Sequence, residues 1–127
     1  MDQLPCSTIV YRTITKSKHI GNDGRPNAFE FHRRPPHPQT GEPRDVKGLS
    51  VNYDVQVPDG CAPGHTGKKL IVSLHVGRIR DTHSDLNVRP DSVTHANIVG
   101  IPRQEENAEK LEQFAAALVA ISRKAWP

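Results

Sequence analysis

From Leu49 to Val57 apolar and polar residues alternate without a break, Leu49, Val51, Tyr53, Val55 and Val57 against Ser50, Asn52, Asp54 and Gln56. Successive side chains of a strand point to opposite faces, so this pattern demands an extended strand with one buried face and one wet face. Leu70, Val72, Leu74 and Val76 repeat the alternation against Ile71, Ser73, His75 and Gly77, which predicts a second, central strand. A chain of 127 residues with 11 Pro and 9 Gly cannot extend such strands far, and expects short elements joined by long connections.

The remaining elements follow from local chemistry. Thr8, Ile9, Val10, Tyr11 and Thr13 predict a first strand over 7–14, with Arg12 on the face of Val10 and Ile14. Residues 15–27 hold Gly21, Asn22, Asp23, Gly24 and Pro26 and read as an exposed, mobile loop. Ala28–Phe31 is expected as a short strand. Residues 32–48 carry Pro35, Pro36, Pro38 and Pro43 among Arg33, Arg34, His37 and Arg44, which forbids a helix or central strand and predicts a basic, mobile loop.

Arg78, Arg80 and Asp81 mark the exit of the central strand, and 86–88 and 94–101 complete the sheet. His95, Asn97 and Val99 then share one face of the last strand, with Ala96 and Ile98 on the other. Leu111, Phe114, Ala115, Leu118 and Ile121 fall at helical spacing, so a C-terminal helix over about 104–124 is expected to seal the core. Glu105 and Glu106 lie towards its positive end, and Arg123 and Lys124 towards its negative end. The fold class expected is α+β: a mainly antiparallel sheet of five to six short strands packed by one amphipathic helix, in a single domain over 1–127.

Charge narrows the function only slightly. Seventeen Lys and Arg against 14 Asp and Glu give a net +3, compatible with a phosphate-bearing partner but far from the surplus of a nucleic-acid coat. Cys6 and Cys61 are too few for a disulfide scaffold. The opening residues lack the basic and apolar regions of a secretion signal, and no apolar run is long enough to span a bilayer. A cytoplasmic protein with free thiols and no membrane partner is expected.

Known motifs are mostly absent. The run 60–69, GCAPGHTGKK, departs from a phosphate loop in its spacing, and no Ser or Thr follows Lys68. There is no G-x-G-x-x-G. Cys61 with His65 is half a zinc site, completed by nothing nearby, so no metal site is expected. Of seven histidines, His19, His32, His37, His65 and His83 fall in predicted loops, where imidazoles are ordinarily solvated. His75 and His95 fall on strands, as do Arg12 and Ser50. Polar residues on strands built for a core can line a cleft, although an ion pair of Arg12 with Asp54 or Asp81 accounts for Arg12 equally well.

Tyr11-Arg12, Ala28-Phe29, Gly48–Val51, Leu74–Asp81 and His95–Pro102 resemble a family of small single-domain bacterial proteins found mainly in cyanobacteria. That resemblance covers almost the whole chain and implies a stand-alone domain, without implying an activity. A more distant likeness is to ADP-ribosyltransferase-like folds of the Arg-Ser-Glu type, in which a strand Arg holds the phosphate of NAD, a strand Ser positions its ribose and a Glu on a later strand supports the chemistry. Arg12 and Ser50 match the first two positions. At the third, the last strand offers His95 and Asn97 and no Glu.

The function expected from these residues is a His/Arg site for a phosphate-bearing ligand, whether a nucleotide, NAD or an RNA strand. Arg12, Arg78 and Arg80 are the phosphate-binding candidates, and His95, His75 and Ser50 the catalytic ones. The alternative is a non-catalytic interaction module that docks a protein partner through the basic Pro-rich segment 32–44, whose composition favours a pre-extended chain.

Overall fold

A computed structural model describes residues 4–53 and 70–126 of the chain. The second half of the Leu49–Val57 alternation, the run 60–69 with Cys61 and His65, and the proposed ion-pair partner Asp54 lie outside the described residues. Strands β1 (Ile9–Ile14), β2 (Leu49–Asn52), β3 (Leu70–His75), β4 (Asn87–Pro90), β5 (His95–Val99) and β6 (Arg123–Trp126) form one sheet in the order β4-β5-β2-β1-β3-β6. Every neighbouring pair is antiparallel. With helices α1 (Val76–Thr82) and α2 (Gln104–Ile121), the fold is α+β, as the alternation and the helical spacing together require.

Register decides what each face carries. Val10, Arg12 and Ile14 of β1 oppose Leu74, Val72 and Leu70 of β3, while Leu49 and Val51 of β2 oppose Ile98 and Ala96 of β5. These apolar residues are buried together with Leu111, Phe114, Ala115 and Leu118 of α2 in one core cluster. Each fully buried Leu or Phe there contributes roughly 1.5–3 kcal/mol. The opposite face is polar. Its neighbours in register run His95, Asn52, Tyr11, Ser73 and Arg123 across five strands.

Four local expectations change. Ala28–Phe31 is a 3-10 turn and not a strand. The Asn27 side chain accepts a hydrogen bond from the Phe29 amide at 3.1 Å, and this cap turns the chain before a ladder can form. Arg78, Arg80 and Asp81 belong to α1, whose buried face is Val76 and Ile79, a spacing of three residues too short to announce a helix. Helix α2 ends at Ile121, so Arg123 and Lys124 lie on β6. The helix's last carbonyls are met by Arg25, whose Nη2 donates to Val119 O at 3.0 Å and Ser122 O at 3.3 Å. Helix α2 also kinks at Asn107, where the backbone is extended and the side chain caps the next turn by accepting from Lys110 N at 3.0 Å.

The segment 32–48 contains neither helix nor strand, as its prolines dictate, but its arginines bond back onto the chain. Arg33 donates to the carbonyls of Asp45 and Ile101, Arg34 grips the Asp45 carboxylate, and Arg44 donates to Pro35 O. Arg103 adds bonds to the carbonyls of Arg34 and Arg44. Gly48 closes the segment at φ 121°, and a Cβ there would collide with the Ile98 carbonyl.

Candidate functional site: a cleft where β1 and β2 part

Arg12 sits at an apolar position of β1, on the face of Val10 and Ile14. A guanidinium in that place needs partners. Among the described residues β1 and β2 pair only at Tyr11 and Asn52, and Arg12–Ile14 are not laddered to Leu49–Val51. Arg12 occupies the resulting gap. Its Nη1 donates to Ser50 O at 2.7 Å, and its Nε donates to Glu30 Oε1 at 3.2 Å.

Glu30 comes from the 3-10 turn Ala28–Phe31 and is 6% exposed. Its second oxygen lies 2.6 Å from His19 Nδ1, a residue of the preceding 3-10 turn Ser17–His19. One buried carboxylate thus joins an arginine to a histidine. The two turns are held together by Asn27, whose amide donates to His19 O at 2.9 Å and whose side chain donates to Lys18 O at 2.7 Å. With Nδ1 committed to Glu30, His19 Nε2 is the nitrogen left for a ligand, and it has no partner among the described residues.

Around this group lie two adjoining cavities of about 290 and 560 Å³. Both are walled by Lys16, His19, Phe29, His32 and Arg34. Arg12, Thr13, Thr15, Glu30, Asp45, Ser50 and Asn52 complete the first. The charge is predominantly positive, and the two acids of the first cavity, Glu30 and Asp45, are already engaged. Burial pushes Asp45 up, but the side-chain and backbone hydrogen bonds from Arg34, with the charges of Arg34 and Arg12, hold its carboxyl below the usual range. The same Arg34–Asp45 bond raises Arg34. The Lys16 ammonium has no ion-pair or hydrogen-bond partner among the described residues. His32 Nε2 lies 3.0 Å from Glu112 Oε1, near enough for an ion pair but off the geometry of a hydrogen bond.

The residues singled out from the sequence divide among four places. Arg12 and Ser50 meet in this cleft, the arginine through the gap and the serine at the rim from the polar face. His75 ends β3 and lines a separate cavity of about 230 Å³ with Arg78, Ser73 and Arg123, and its Nδ1 is buried with no hydrogen-bond partner among the described residues. Arg80 is a structural tie, donating to Asn87 Oδ1 at 2.7 Å and to Cys6 Sγ at 3.3 Å. His95 shares the polar face with Ser50 but closes the β4–β5 hairpin, its Nδ1 2.6 Å from Asp91 Oδ1 while Asn97 donates to the other oxygen at 3.0 Å. Three strand spacings separate the strands of His75 and His95, roughly 14 Å.

The residues missed from sequence are His19, Glu30, Lys16, Phe29 and His32. The one signal available was Arg12 itself, because a charged residue in an apolar phase implies a buried counter-charge. Asp54 lies outside the described residues; Asp81 does not pair with Arg12 among the described contacts, and Glu30 does. Among the described residues no three His, Cys, Asp or Glu side chains converge as a metal cluster would require, and no helix is long and apolar enough to cross a membrane. No family model matches the chain, and neither does any curated protein or solved structure.

Proposed function

We propose that the protein binds a phosphate-bearing ligand in the cleft between β1 and β2 and acts on it by acid–base chemistry at His19. The observation that carries this reading is the Glu30 bridge. A carboxylate 6% exposed holds His19 Nδ1 and is itself held by Arg12, so the imidazole is fixed in orientation with Nε2 towards a cationic cleft. Arg12, with Nε and Nη1 engaged, keeps Nη2 for an anion, and Lys16 and Arg34 add charge on the same walls. A reducing cytoplasm suits the exposed free thiol of Cys6.

A NAD-using transfer reaction is the second reading, favoured by one observation. Arg12 and Ser50 share the cleft with Glu30, so the carboxylate missing from the last strand is supplied by the 3-10 turn. Its engagement by Arg12 and His19 places this reading second.

Calorimetric titration with nucleoside phosphates, NAD and short RNA tests both. Binding of a phosphate ligand that weakens with salt, and by about tenfold in Lys16→Ala, is the expected result, since each phosphate contact releases counterions. A folded protein that binds none of them would overturn the proposal. NAD binding with nicotinamide release would favour the second reading.

A further inference from the structure

We infer that the ligand of this cleft is single-stranded RNA and that its backbone is cleaved by attack of a 2′-hydroxyl; this rests on the phosphate-ligand reading and narrows it. Phe29 is the first observation. Its side chain is 63% exposed, yet it lines both cavities, beside Lys16 and Arg34. An aromatic ring left in water among cations is the surface on which single-stranded nucleic acids are held, with a base stacked on the ring and the phosphates tracked by positive charge. Two cavities sharing Phe29 and His32 on their common wall suit a strand that runs on from one nucleotide to the next.

The second observation is a pair of imidazoles with different settings. His19 is oriented by a buried carboxylate and offers Nε2. His32, its ring centroid 5.3 Å from that of Phe29, has Nε2 beside the Glu112 carboxylate, and Nδ1 has no partner among the described residues. Backbone transesterification of RNA needs one base and one acid. His19 Nε2 takes the proton of the 2′-hydroxyl, the 2′-oxygen bonds to phosphorus as the P–O5′ bond breaks, and imidazolium His32 gives a proton to the departing 5′-oxygen. The products are a 2′,3′-cyclic phosphate and a 5′-hydroxyl, with no water, oxidant or reductant consumed. Lys16 and Arg12 Nη2, which has no partner among the described residues, offset the charge gathering on the phosphoryl oxygens. DNA lacks the nucleophile and would be bound but not cut.

The test uses the full chain with a short end-labelled RNA, the same RNA carrying one 2′-deoxy position, and inorganic pyrophosphate, with binding and products followed separately. Expected are 2′,3′-cyclic phosphate ends, no cut at the deoxy position and a loss of cleavage of about a hundredfold in His19→Asn. Phe29→Ala, at an exposed site where folding is safe, should weaken RNA binding by about tenfold while sparing pyrophosphate. RNA and pyrophosphate bound with no cyclic phosphate formed would overturn this inference and leave the phosphate-ligand reading standing. Equal loss of RNA and pyrophosphate binding in Phe29→Ala would overturn the stacking role. Binding of neither ligand would overturn both.

Discussion

Two histidine–carboxylate pairs in this molecule have the same length and opposite surroundings. His19 Nδ1 to Glu30 and His95 Nδ1 to Asp91 are both 2.6 Å. The Glu30 side chain is 7% exposed and answers to a second cation, Arg12, while His95 and Asp91 are 32% and 28% exposed and sit on either side of a tight hairpin turn. The Asp91 and Ser92 amides both donate to His95 O, and Asn97 completes the grip on Asp91, so this pair fixes a turn. The Glu30 pair fixes an imidazole against a cationic cleft. A short His–carboxylate distance is therefore not a site by itself. What distinguishes a site is the burial of the acid and what lies beyond the free nitrogen.

The largest expected difference between the pairs is in stability. Glu30→Ala strands a partly buried arginine and histidine and should cost about 3 kcal/mol in urea unfolding, the lower end for breaking a buried ion pair. Asp91→Ala should leave the unfolding midpoint much closer to wild type. Comparable losses would erase the distinction drawn from burial.

A smaller difference concerns charge. Lys16→Ala should reduce the slope of log affinity against log salt for RNA by about one. Lys47→Ala, altering a lysine that lines the cavity beside Asp91, should leave that slope unchanged. Equal slopes for the two variants would move the anion site away from the β1–β2 cleft.

The smallest effect is in the hairpin at acid pH. The hydrogen bond from His95, then that from Asn97, holds the Asp91 carboxyl below the usual carboxylate range. A carboxyl lowered on folding stabilises the native state above its unfolded value, about pH 4, and loses that contribution as pH falls through the lowered value. The protection of the Asp91 and Ser92 amides, taken relative to intrinsic exchange at each pH, should thus fall below about pH 4 and stay constant between pH 5 and 7. Loss of protection between pH 5 and 7 would show that Asp91 is not the controlling group.

The sheet was legible wherever period two ran long enough. Leu49–Asn52 alternates with the core, Leu70, Val72 and Leu74 join it while Ile71 is buried in the opposite phase, and Ala96 and Ile98 point inward as their phase required. Helix α2 was legible because Leu111, Phe114 and Leu118 recur over several turns. The 3-10 turn Ala28–Phe31 and the seven residues of α1 were not, since neither is long enough to show a period. The site followed the same division. Arg12 stood out as a charge in an apolar phase, whereas His19 and Glu30 are joined across eleven residues of irregular chain, brought together by the Asn27 bonds to Lys18 and His19 and by the Ile20–Pro26 bridge. Strand placement made His75 and His95 conspicuous, but the strand order sets them three strand spacings apart.

The most direct test is to follow the imidazole nitrogen signals of all the histidines by long-range ¹H–¹⁵N NMR while titrating a nucleoside monophosphate and then a short RNA. His19 and His32 should shift together and saturably, with Nε2 the more perturbed nitrogen of His19, while His75 and His95 stay in place. Saturable shifts at His95 or His75 with His19 unmoved would place the ligand outside the β1–β2 cleft.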